Sequence, residues 1–260
     1  MIIIQPSGGL CNRMRVINSG WRLARERHEK LQIIWNCNAE LNCPFESLFQ
    51  PVTEFRITSI HSVADLRKLF YQKTARSYLT NEEILAHRNA DGCLDADYVR
   101  NLKSNIYIFT WEWFYPSEDY HLFVPTDVLQ KRIDEMTAQF GTSCVGVHIR
   151  RTDNQPAIGK SSTQSFIDSM QKELDADPNT MFYLATDDMN EETTLRNTFP
   201  GRILSNQNRC LKRDSVEGMH DALLDLYCLA ATRKIIGSYF SSFTDIAADM
   251  RGIPKIIAGE

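Results

Sequence analysis

Along the 260 residues the spacing of apolar positions switches repeatedly between strand-like runs and helical stripes. Residues 2–5 form a short apolar run that stops at Pro6-Ser7-Gly8-Gly9. From 12 to 27, Met14, Ile17, Trp21 and Ala24 recur near helical spacing. A strand, a glycine turn and a helix in that order open a nucleotide-binding α/β unit. Residues 31–35 read as the second strand. The next stretch is loosely patterned, with a polar loop over 36–51 and short helices over 62–71 and 82–86. Residues 105–113 carry Ile106, Tyr107, Ile108, Phe109 and Trp111, a strongly β-prone run. An aromatic, proline-containing hinge follows over 114–124.

Beyond the hinge the alternation is cleaner. Thr126 caps a helix running to 140 with Val128, Ile133 and Met136 on one face. Cys144–Ile149 is a near-continuous apolar run, as in a strand buried on both faces of a parallel sheet. Helices over 163–175, 191–198, 215–232 and 243–251 then alternate with strands over 181–185, 202–204, 234–236 and 254–257. Repeated strand–helix alternation implies a parallel sheet with right-handed crossovers. The expected fold class is α/β, with two lobes, a boundary near 115–125 and a cleft between them.

Composition narrows the function classes. At 43% hydrophobic residues the chain can bury a sizeable core, which excludes disorder. A formal net charge of -4 argues against general nucleic-acid binding, which draws on a basic face. The seven cysteines are irregularly spaced and form no C-x-x-C, so free thiols in a reducing compartment are expected rather than a disulfide framework or zinc site. The N-terminus lacks the basic region of a signal peptide, and no run approaches the roughly 20 apolar residues of a membrane span. A cytoplasmic protein without a transmembrane segment is expected.

Four segments could carry chemistry. Val147-His148-Ile149-Arg150-Arg151-Thr152-Asp153 runs an apolar strand into a positive cluster, at the strand end where open α/β sheets bind ligands. Arginine suits a diphosphate because its fork stays charged and donates two hydrogen bonds at fixed geometry; the plainer alternative is an arginine pair bridged to nearby carboxylates. Ser7-Gly8-Gly9-Leu10-Cys11-Asn12-Arg13 lets the backbone approach a ligand ahead of a helix N-terminus, or is an ordinary strand–helix turn. In Thr186-Asp187-Asp188 the carboxylates either accept from a base or ribose or cap the next helix. Ser241-Ser242-Phe243, after a strand, either forms an anion site or simply caps. Gly159-Lys160-Ser161 fails as a P-loop, because its first glycine would fall at Asn154. Asp95-Ala96-Asp97 and Asp175-Ala176-Asp177 follow no clear strand, and no metal is expected there.

In their order, these four segments resemble the superfamily of α1,2-, α1,6- and protein O-fucosyltransferases. His-Ile-Arg-Arg-Thr-Asp and Tyr-Leu-Ala-Thr-Asp-Asp are closest to the α1,6 type, including the nodulation fucosyltransferases. The Gly-Gly-Leu-x-Asn-Arg opening and Ser-Ser-Phe-Thr-Asp-Ile-Ala-Ala also resemble the α1,2 type. The resemblance covers about residues 144–250 and the first fifteen. It implies a GT-B-like fold of two Rossmann-like lobes, an acceptor-side lobe over 1–120 and a donor-binding lobe over 121–260. It implies transfer of fucose from GDP-fucose to a glycan acceptor with inversion, and without a metal or other cofactor. Arg150 then matches the arginine on the donor β-phosphate, and Asn12 the glycine-loop asparagine facing the reacting centre. His148 lies near the guanosine, Asp187 reads guanine, and Ser241, Ser242 and Phe243 line the diphosphate and base. Gly8, Gly9, Arg13, Arg151 and Asp188 support donor binding. The α1,6 type carries a glutamate shortly after the arginine motif, whereas residues 154–160 here hold no carboxylate. Asp153 remains as the catalytic carboxylate, though two neighbouring arginines would depress its pKa and weaken it as a base. The alternatives are the same fold using another nucleotide sugar, or a catalytically degenerate GDP-sugar-binding protein.

Overall fold

The opening apolar run is the central strand of a parallel sheet. A computed structural model describes residues 1–61, 64–116, 120–152, 155–207 and 209–260, with only the backbone described for 64–67 and 155–157. These residues group into two units, Met1–Thr126 with Lys212–Met219, and Asp127–Leu211 with His220–Glu260.

In the first unit the strands are β1 (Ile2–Pro6), β2 (Leu31–Cys37), β3 (Arg56–His61), β4 (Ser77–Leu79) and β5 (Ile106–Thr110), in the spatial order β3-β2-β1-β5-β4, all parallel. The helices are α1 (Leu10–Glu26), α2 (Phe45–Leu48), α3 (Ala64–Thr74), α4 (Asn81–Ala86) and α5 (Ala96–Asn101). All five residues of β1 are buried, which is why the strand reads as an unbroken apolar run rather than an alternation. Helix α1 packs closely on it: a Cβ on Gly20 would fall 1.8 Å from Ile4 Cδ1.

In the second unit the strands are β6 (Cys144–Ile149), β7 (Met181–Thr186), β8 (Ile203–Leu204), β9 (Ile235–Gly237) and β10 (Lys255–Ile257), in the order β10-β9-β6-β7-β8, again all parallel. The helices are α6 (Asp127–Thr137), α7 (Gln155–Lys160), α8 (Thr163–Ala176), α9 (Met189–Thr198), α10 (Val216–Ala230) and α11 (Ser242–Asp249). Val145, Val147, Ile149, Phe166, Met170, Phe182 and Leu184 share one core, and each such side chain contributes about 1.5–3 kcal/mol on burial.

The chain therefore has the expected α/β class with two parallel five-stranded sheets. In each, the chain starts at a central strand, builds outward on one side, then supplies the other side. The strand order reverses between β1 and β5, and between β6 and β9. Open parallel sheets bind ligands at such reversals, beyond the carboxyl ends of the strands.

Five elements are absent from the sequence reading: β3 and β4, both at sheet edges, and the short helices α2, α5 and α7. β3 is mostly half-exposed and β4 has three residues, so neither leaves an apolar run. α5 also accounts for the first D-x-D: Asp95 Oδ1 accepts from the N–H groups of Asp97 (2.8 Å) and Tyr98 (3.1 Å) and caps the helix. Cys37, Cys43, Cys93, Cys144 and Cys228 are buried free thiols, Cys11 is buried and Cys210 is half-buried. No helix among the described residues is long and apolar enough to cross a membrane.

Candidate functional site

The β6–β9 reversal gathers most of the charged and hydroxyl groups singled out above. The Ser238 Oγ accepts from the Arg150 N–H at 2.9 Å and donates to the His148 carbonyl at 3.2 Å, tying the two strand ends together. Asp187, at the end of β7, fixes the same segment from the other side. Its Oδ1 accepts from the Arg151 N–H at 2.7 Å. Its Oδ2 accepts from the Thr152 hydroxyl at 2.7 Å and lies 3.5 Å from Arg150 Nε. Arg150 thus leaves the sheet on a backbone held by two neighbouring strands, with 22% of its side chain exposed.

His148 is 5% exposed. Its Nδ1 pairs with Thr244 Oγ1 at 2.8 Å, and its ring stacks on Phe243 with centroids 4.8 Å apart. Burial, followed by the charge on Arg150, lowers its pKa to about 3, so the imidazole is neutral at physiological pH. It offers a hydrogen bond and a flat face, and no charge.

Ser241 occupies the N-cap of α11, yet its hydroxyl makes no capping bond. The chain reaches it through Phe240, which is 78% exposed at φ 50°. A Cβ on Gly237 would fall 2.2 Å from Thr244 Cγ2, so only glycine lets α11 sit this close to the end of β9. Phe243 on this helix stacks on His148, and Ser241 and Ser242 lie at its N-terminal end.

Two residues of this group have structural partners. Arg151 is inside the lobe, with Nε 2.6 Å from Glu191 Oε1 and its guanidinium over the Phe166 ring. Asp188 caps α9 through the Asn190 N–H at 2.7 Å, the plainer of its two readings. Asp153 lies outside the described residues.

The glycine loop belongs to the other sheet, at the β1–β5 reversal. Gly8 has φ +79°, a left-handed conformation that favours glycine, and a Cβ there would meet Asn12 Nδ2 at 2.8 Å. Asn12 is half-buried against it; Gly9 faces open space, where a Cβ would meet nothing within 4 Å. Arg13 is fully buried, and burial lowers its pKa to about 10. Its Nε donates to the Gly8 carbonyl at 2.8 Å and its other nitrogens to the Asn36 carbonyl and Asn38 Oδ1, above the Trp35 ring. Arg13 therefore binds the glycine loop to the end of β2.

Ser238 and Thr244 fall within the hydroxyl-rich segment over 237–245 but were not assigned a role there, and Glu191 was outside the sequence selection; these residues position the arginines and the histidine. Their roles depend on contacts across 40 to 96 residues, for which a single sequence carries no periodic signal. Glu40 and Trp111 at the glycine loop escaped for the same reason.

No family model matches the chain, and no curated protein matches it by sequence. Solved structures do. A NodZ α1,6-fucosyltransferase soaked with GDP-fucose superposes with a TM-score of 0.66 at 19% identity, covering 96% of this chain and 92% of that one. NodZ from Bradyrhizobium gives 0.65 at 18%, covering 95% and 92%. POFUT1 in complex with GDP gives 0.60 at 10%, covering 100% and 98%. At these identities the likeness establishes architecture: the chain has the GT-B-like α/β fold of these solved fucosyltransferase structures.

Proposed function

We propose that the chain is an inverting, metal-independent glycosyltransferase that moves fucose from GDP-fucose to a glycan acceptor. The observation that carries this reading is Arg150, fixed at the β6–β9 reversal by Ser238 and Asp187, on the strand next to β9, whose end leads into the N-terminus of α11. A departing GDP develops negative charge. A preorganised guanidinium and helix N–H groups stabilise that charge without rearranging, which is the task a metal performs elsewhere. In this reading Arg150 takes the β-phosphate, with Ser241 and Ser242 beside the diphosphate. The neutral His148–Phe243 stack forms a wall for the guanosine. Asp187 keeps lone pairs for the base or ribose while it orients Arg150, and Arg151 and Asp188 support it through the backbone. The second unit is the donor lobe. The first, with Gly8, Gly9, Asn12 and Arg13, is the acceptor side, and Asn12 takes the catalytic role that the resemblance implies. The neighbouring structures' own ligands, GDP and GDP-fucose, support the donor assignment.

The test is stabilisation by ligand. GDP and GDP-fucose, and not UDP, should raise the melting temperature equally with and without EDTA, because a ligand selective for the native state at 100 Kd adds about 2.7 kcal/mol. Arg150→Ala should retain the fold and lose transfer by about 10²–10³-fold. No shift with any guanine nucleotide would exclude the donor, and a shift abolished by EDTA would exclude the metal-free mechanism.

A further inference from the structure

The Thr244 hydroxyl is bound differently from those of α9. There Thr193, Thr194 and Thr198 donate to the carbonyl four residues back, at 2.9, 2.9 and 2.8 Å. Thr244, in the first turn of α11, is fully buried, and among the described residues its Oγ1 has a single partner, His148 Nδ1 at 2.8 Å. The side chain is pressed onto the end of β9, where a Cβ on Gly237 would fall 2.2 Å from its Cγ2 and 2.6 Å from its Oγ1. The imidazole is held as firmly. The Ser238 N–H and hydroxyl both donate to the His148 carbonyl, at 3.1 and 3.2 Å, and Phe243 covers the ring face. One edge of the ring is thus taken by Thr244. The other edge, at Nε2, has no hydrogen-bond partner among the described residues, although the residue is 5% exposed. All of these groups belong to the second unit.

A neutral imidazole carries one N–H and one lone pair, and the bond at one nitrogen decides what the other offers. With the hydrogen on Nδ1, that group would donate to Thr244 Oγ1. The threonine hydrogen would then be buried without an acceptor, at the full desolvation cost of the group. With the lone pair on Nδ1, the threonine hydroxyl donates to it and both groups are satisfied. The ring hydrogen then sits on Nε2. We infer that Thr244 is a positioning residue that fixes His148 in its Nε2–H tautomer, so that the open edge of the ring presents a hydrogen-bond donor to a lone pair of the nucleoside. The inference rests on the donor reading above and deepens it. The His148–Phe243 wall becomes directional, accepting a ligand atom with a lone pair and refusing another donor.

The experiment reads the tautomer and the affinity separately. In a chain labelled with nitrogen-15 histidine, long-range proton–nitrogen spectra report the tautomer of each of the six histidines, His148 being identified by its loss in His148→Asn. The unmodified chain should show His148 with its hydrogen on Nε2. Thr244→Ser keeps the hydroxyl, so it should keep that form and leave the affinity for GDP unchanged. Thr244→Val keeps the shape and loses the donor. It should shift His148 towards the Nδ1–H form and weaken GMP and GDP alike by about 3–10-fold, the contribution of one neutral hydrogen bond. An Nδ1–H tautomer in the unmodified chain overturns the assignment, a result that needs no variant to fold. Unchanged affinity for GMP in Thr244→Val also overturns it, as does a weakening seen with GDP and not with GMP, since the bond would then go to the β-phosphate. Failure of the unmodified chain to bind either nucleotide removes instead the donor reading beneath it, and the ring spectra tell the two failures apart.

Discussion

His148 shows how one side chain links the site to stability. Its imidazole is neutral in the folded chain because burial, with help from Arg150, holds its pKa near 3, whereas an unfolded histidine titrates near 6.5. Below pH about 6.5 the unfolded chain takes up a proton that the folded chain refuses. Stability is therefore lost as pH falls from about 6.5 towards 3, by up to about 1.4 kcal/mol per unit. Asn keeps a polar atom near the Nδ1 position and cannot titrate. His148→Asn should thus lose about 2 kcal/mol less than the unmodified protein between pH 6.5 and 5 in urea unfolding. Asp225, raised to about 7 mainly by burial, acts in the opposite sense. It is present in both proteins and cancels in the difference, so parallel pH profiles would mean that His148 is protonated in the fold. At this scale the sequence was legible for residue type and less so for role. Arg150, His148 and Asp187 sit together as their segments suggested. The Arg13 and Arg151 guanidiniums, however, are engaged by Asn38 and Glu191, partners 25 and 40 residues away.

Elements were legible in proportion to their burial. β6 was read from end to end because all six residues are buried and the run is almost wholly apolar. β3 and β4 went unread because edge strands expose one side, and their pairing with β2 and β5 is written in those strands' hydrogen bonds rather than in their own residues. The β9–α11 junction was legible as a hydroxyl-rich segment, but its closeness was not. Gly237 sets that closeness, and Gly237→Ala tests it. A methyl 2.2 Å from Thr244 Cγ2 forces α11 outward, which should cost about 1–3 kcal/mol as overpacking does. The shift carries Ser241, Ser242 and Phe243 with it, so the variant should also bind GDP more weakly than its lost stability explains. The measurement is a GDP titration followed by calorimetry, at a temperature where the variant is fully folded. An unchanged Kd would mean that the helix N-terminus does not hold the diphosphate.

At the scale of the whole molecule, each unit has its own parallel sheet, and the proposed donor groups at the β6–β9 reversal belong to the second. Such an arrangement allows the units to melt separately, and the chain supplies a natural reporter. Its four tryptophans, Trp21, Trp35, Trp111 and Trp113, all lie in the first unit. Tryptophan fluorescence therefore follows that unit alone, while far-ultraviolet circular dichroism follows the helices of both. GDP at 100 Kd adds about 2.7 kcal/mol to whatever unit binds it, a shift on the order of 10 °C for a unit of this size. The dichroism transition should rise by that amount while the tryptophan transition stays within a few degrees of its ligand-free position. A tryptophan transition that rises in step would show the two units melting as one cooperative block. A rise confined to tryptophan would move the nucleotide to the glycine-loop sheet and reverse the assignment of donor and acceptor sides.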